Sequence, residues 1–162
     1  MLSKLLMLVT AIVVIVHLVT WYPELPDQVP SKFGSDGLAK QYMDKSGFIA
    51  LMAFVQAISF LSTGGLSFVI NKLPTSLINL PYKEYWLEEP RRAESMEVMA
   101  SSLRWIAIIT AWFLLALTHL SFVIGIGKRN STSPEFEMAL AGYLLFVFGF
   151  IGWLYWRFRK VA

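Results

Sequence analysis

Four apolar runs separated by polar segments of unequal length set the plan of this chain. Leu5 to Tyr22 is about 18 residues without a formal charge. Gly47 to Ile70 carries Gln56 and has Gly64-Gly65 near its far end, and two further runs cover about Trp105 to Ile126 and Met138 to Trp156. Each is long enough to cross a hydrocarbon layer of ~30 Å, which takes ~17–25 helical residues. The pattern predicts an all-α membrane protein, one domain over residues 1–162 with four transmembrane helices (5–22, 47–70, 105–126 and 138–156). No small-residue cleavage pattern precedes Trp21-Tyr22-Pro23, so the first run is read as a span and not as a signal peptide.

The polar segments add detail. In residues 23–45, Pro23, Pro26 and Pro30 fix φ and push their predecessors toward extended geometry. A stiff arm should therefore leave the first span and lead into a small β-hairpin, Gln28 to Phe33 pairing with Leu38 to Met43 across Gly34-Ser-Asp-Gly37. Residues 71–104 divide in two. The part from Leu73 to Leu87 is rich in aromatics and proline and reads as a loop along the membrane surface, with Tyr82, Tyr85 and Trp86 at headgroup level. Glu88-Glu89-Pro90 then has the acids and proline of a helix start. Ala93, Met96, Ala100, Leu103 and Ala107 recur at spacings of three and four, so this amphipathic helix should enter the third span without a break.

Composition agrees with a membrane protein: 56% of the 162 residues are hydrophobic and 15% charged. A net charge of +3, spread through the loops, argues against a nucleic-acid surface. The absence of cysteine removes disulfides, thiolate metal sites and thiol nucleophiles. Lys and Arg are unevenly divided, nine on the side of both termini and the 71–104 arm against five on the side of the hairpin. By the positive-inside rule both termini are cytoplasmic and the hairpin lies outside.

The spacing of Leu25-Pro-Asp-Gln-Val-Pro30, then Phe33, then Gly37, resembles the bacterial domain of unknown function 1648, found at the start of SdpI-type toxin-immunity membrane proteins. Asn79-Leu-Pro, Tyr85-Trp-Leu87 and Arg91-Arg92 resemble a segment that accompanies this hairpin in longer family members. The resemblance implies a multi-pass protein of the bacterial cytoplasmic membrane. Family members usually have Pro-x-His-Phe where this chain has Pro30-Ser-Lys32-Phe33, so a role carried by that histidine does not transfer, although Lys32 keeps a cation there.

His17, Gln56 and His119 are the polar groups that stand out inside the spans, roughly 5, 9 and 7 residues from the run ends that border the hairpin. Polar groups in hydrocarbon are costly unless paired, so these three should meet one another or bond between helices. With Asp27, Lys32 and Phe33 of the hairpin they form the candidate ligand or partner site. Tyr85, Trp86, Arg91 and Arg92 form a second, cytoplasmic interface suited to an anionic leaflet. No metal site is expected, since two histidines without metal-ligand spacing do not make one. No nucleophile elbow, phosphate loop, zincin helix or dinucleotide fingerprint occurs, so no cofactor is expected either. The expected function is recognition of a ligand, peptide or partner protein through the outer hairpin. The alternatives are an accessory structural subunit of a larger membrane complex, or a transporter or enzyme using His17 and His119.

Overall fold

The computed structural model describes residues 2–132 and 134–159. Helix α1 (Leu2–Trp21) runs into a 3-10 turn at Tyr22–Glu24, followed by strands β1 (Gln28–Phe33) and β2 (Ala39–Asp44). Helix α2 (Lys45–Phe60) continues through a π-helical turn at Leu61–Gly65 into α3 (Leu66–Val69). After the one-turn α4 (Lys83–Trp86) come the long α5 (Arg92–Gly125) and α6 (Glu135–Arg159). Among the described residues four helices are long and apolar enough to cross a membrane: Leu2–Glu24, Lys45–Lys72, Arg92–Gly125 and Glu135–Arg159.

Helix α5 is the axis of the bundle, packing against α1, α2, α3, α6 and β1. Its 34 residues rise about 51 Å, some 20 Å more than the hydrocarbon thickness. It buries Met96, Ala100 and Ala107 from the face expected of it and leaves Glu94 and Glu97 exposed. Ala93, expected on that apolar face, is exposed. The helix also starts at Arg92, two residues after Pro90, because residues 87–91 form turns. Lys83–Trp86, expected as loop, makes a helical turn entered through Tyr82 in a left-handed conformation at φ 52°.

The spans alternate in direction. At one end the hairpin rests on the C-terminus of α5, and at the other, Arg104 of α5 meets Ser3 of α1 and Trp86 meets Phe158 of α6. The beginning of α1 and the end of α6 therefore share the end opposite the hairpin, called here the arm end. Two cores hold the bundle: Val14, Leu18, Leu25, Val29, Phe48, Leu115 and Phe122 beneath the hairpin, and Ile70, Ile78, Leu87, Met96 and Ala100 at the arm end. Helix α6 stands apart, because Phe158 is its one buried residue.

Candidate functional site beneath the hairpin

The hairpin is built by local chemistry and then pinned to the helices. Pro23 lies within the 3-10 turn, and Leu25, between that turn and Pro26, is extended and buried in the core. The strands pair antiparallel, Gln28 opposite Asp44 and Phe33 opposite Ala39, with register shifts either side of Lys32. β2 runs one residue later than expected, because Leu38 stays in the connection, its amide donating to Asp36 (3.0 Å) and its carbonyl accepting from Gly34 (2.9 Å). Gly37 takes φ +72°, a region costly for residues with a Cβ. Asp36 also accepts from Lys40 (2.8 Å); that ammonium, with the Leu38 amide, holds the Asp36 carboxyl below its ordinary pKa.

At the hairpin base Asp44 caps α2, accepting from the Gly47 amide (2.8 Å) and the Ser46 hydroxyl (2.6 Å). Those two donors, the hydroxyl first, lower its pKa. The Lys45 amide donates to the Asp27 carbonyl (3.0 Å), closing the loop. Val29 and Pro30 are fully buried, Pro30 against the last turn of α5 at Gly125. The tip is held as well: the Thr132 amide, in the loop before α6, donates to the Gly37 carbonyl at 3.0 Å.

Beneath this docked hairpin lies an apolar recess of about 230 Å³. Ser31 and Phe33 of β1 form its outer lip, Phe48 of α2 and Leu117 and Ser121 of α5 its floor, and Phe136 of α6 one side. Of the residues expected to share a site, only Phe33 reaches it.

The other candidates disperse. His17 and His119 do meet, ring nitrogens 3.2 Å apart, bridging α1 and α5. His17 stacks on Phe122, and Trp21 stands edge-on to His119. Gln56 does not join them; it is buried and donates to the Ala111 carbonyl (3.2 Å), eight residues or about 12 Å along α5 from His119. Asp27 and Lys32 stay on the surface, Asp27 with Lys45 at 3.8 Å. Among the described residues no three of His, Cys, Asp and Glu cluster in a way that would hold a metal ion.

At the arm end Tyr85, Trp86 and Arg91 act as one unit. Arg91 donates to the Tyr85 carbonyl (2.8 Å) and lies 3.9 Å over its ring, while Trp86 donates to the Phe158 carbonyl (2.8 Å) and receives Arg157 over its own ring at 5.1 Å. Arg92 is half-buried at the start of α5 and does not belong to that stack. Sequence reasoning missed Arg104, counted with the loop cations. It is 2% exposed, donating to Ser3 (2.9 Å) and to Glu97 (2.6 Å). Its position among Ala100, Leu103 and Ala107 was the available signal, because the helical period carries it toward the α1 side.

No curated protein and no solved structure matches the chain significantly. A family model does match, over residues 8–57, described as domain of unknown function (DUF1648). The matched stretch begins inside α1, takes in the whole hairpin and ends inside α2, so it holds the two helices that frame the hairpin and part of the floor under it. Residues 8–57 thus form a DUF1648-like domain, the resemblance first carried by Leu25 to Gly37.

Proposed function

We propose that this protein is a recognition module of a bacterial cytoplasmic membrane, its termini cytoplasmic and its hairpin outside, which binds an apolar side chain of a peptide or partner protein in the recess under β1. The recess itself is the observation that carries this reading. Small-molecule pockets run to ~300–1,000 Å³, so about 230 Å³ suits one large side chain better than a whole metabolite. Lys32, between the lip residues Ser31 and Phe33, is exposed beside it, and Asp27 and Tyr42 are exposed elsewhere on the hairpin, charge and aromatic surface of the kind found at interface rims. Neither imidazole lines this recess, which leaves transport or catalysis by His17 and His119 without a cavity there.

The test is a photoreactive amino acid at Lys32, irradiated in the native membrane. A discrete adduct is expected, and it should disappear when the recess is filled by Leu117→Trp. An adduct that survives filling, or none above background, would overturn the reading. A second reading, an accessory subunit of a larger complex, is favoured by α6, whose most apolar stretch has no buried residue and which exposes Leu145 and Phe148. Stoichiometric membrane subunits co-purifying in nanodiscs would support it.

A further inference from the structure

A cavity larger than the recess under the hairpin lies elsewhere among the described residues. About 400 Å³ opens at the arm end, walled by Ile70 where α3 ends, by Leu103 and Ile106 of α5, and by Leu154 and Phe158 of α6, with the 73–81 loop as a roof at Ile78. Its chemistry is narrow. Apart from Asn79, Ser102 and the Tyr155 hydroxyl the side chains lining it are apolar, and the Ser102 hydroxyl already donates to the Val98 carbonyl at 2.7 Å. A peptide or polar metabolite inside would leave most of its own polar groups without partners, each at a cost of several kcal/mol. A hydrocarbon chain leaves none.

Size and position narrow the occupant further. The lining runs from Met99 to Ile106 on α5 and from Ile151 to Phe158 on α6, about 10 Å of each helix. A partner span needs a groove near 30 Å long, and this lining covers only about a third of that. The walls belong to helices that cross the membrane, so lipid chains are the surrounding medium. Arg157, stacked on Trp86 beside Phe158 and paired with Glu94 at 3.0 Å, puts a cation and an indole at the rim, where headgroups lie.

We infer that this cavity is a lipid site, taking one acyl chain of a phospholipid from the leaflet at the arm end. The roof loop gains a reason for its apolar side chains: Ile78 is buried, and Leu73 and Leu80 pack with it on the arm-end core. The site is separate from the recess under the hairpin and stands or falls independently of it.

The full-length protein is placed in nanodiscs of phosphatidylglycerol and phosphatidylethanolamine carrying a diazirine at the end of one acyl chain, irradiated, digested and mapped by mass spectrometry. Labelling at Leu103, Ile106 and Leu154 is expected at least about fivefold above that at Leu145 and Phe148, which are exposed on the same α6 but outside the cavity. Filling the cavity by Leu103→Trp, or by the milder Ile106→Phe should the first variant fail to assemble, should remove the label from Leu154 and leave Phe148 unchanged. Equal labelling inside and outside would mean annular lipid only and overturn the site. So would labelling at Leu154 that survives filling, or a cross-linked protein in place of lipid.

Discussion

The contact most exposed to a single substitution is the one between the hairpin and the end of α5. A Cβ built on Gly125 lies 3.2 Å from Pro30 Cδ, 3.8 Å from Val29 Cγ1 and 3.9 Å from Pro26 Cδ. Gly125→Ala therefore needs only a few tenths of an ångström of give. Gly125→Leu brings three more carbons against a proline ring and a valine that are both fully buried, and neither can rotate away. Overpacking of this kind costs about 1–3 kcal/mol. The upper bound is set by releasing the hairpin outright, since re-exposing Val29 alone forfeits ~1.5–3 kcal/mol of burial. At 1.36 kcal/mol per decade, 1–3 kcal/mol is a rise of roughly 5- to 150-fold in hairpin opening. Amide hydrogen exchange in nanodiscs reads this at Lys45, whose amide bonds Asp27, and at Thr132, whose amide bonds Gly37. Faster exchange at both, with α5 unchanged near Ala107, is the expected result. Protection at Lys45 and Thr132 equal to that of the unsubstituted protein would refute the argument that Gly125 is there to admit Pro30.

Four further outcomes follow from the structure. A Cβ built on Gly64 lies 3.1 Å from Met7 Sδ and 3.3 Å from the Ala107 Cβ, so Gly64→Ala should be absorbed by the flexible Met7, while Gly64→Leu should lower thermal stability in detergent by about 1–3 kcal/mol. Arg104→Ala strands the Ser3 hydroxyl and empties a buried volume. Because Glu97 is 59% exposed and recovers water, the expected loss in the same unfolding assay is about 2 kcal/mol, below the ~3–5 of a wholly buried pair, and a loss under ~0.5 kcal/mol would sink this account. A double-mutant cycle on His17→Ala and His119→Ala should return a coupling near 0.6 kcal/mol, the average for interhelical hydrogen bonds in membranes; zero would mean that the 3.2 Å contact carries no energy. Asp36 and Asp44 have lowered folded pKa values, so their contribution to the hairpin is complete above the ordinary carboxylate value of about 4. It is lost as pH falls through the lowered values, and exchange at Leu38 and Gly47 should be flat from pH 5 to 8 after correction for intrinsic rates and rise only in stronger acid.

The lines of this molecule that depend on near neighbours were legible in the chain. Apolar length alone locates the four spans to within a few residues at every end but the start of the third, whose helix begins at Arg92, since lipid leaves the backbone no choice but helix. Prolines 23, 26 and 30 with Gly34 and Gly37 were enough for the hairpin, because turn chemistry is local; β1 came out at Gln28–Phe33 as read. The unbroken run of α5 from arm into span was likewise readable in its three-and-four spacing.

What needed the tertiary structure was every statement about which side chains share a place. Depth along a helix put His17, Gln56 and His119 at similar levels, yet depth leaves rotation about the axis open. Rotation turned two of them together and sent Gln56 to Ala111. The recess beneath Phe33 and the larger cavity under Ile78 exist only where three or four separate elements approach without filling the space between them, which no single stretch encodes. Arg104 makes the same point about charge. In sequence it is one more cation near a loop, and only the crossing of α1 over α5 makes it a buried bond to Ser3. The chain by itself determined the spans, the hairpin and the unbroken helix, because these follow from solvent and local geometry; the packing of α5 against its neighbours decided the sites.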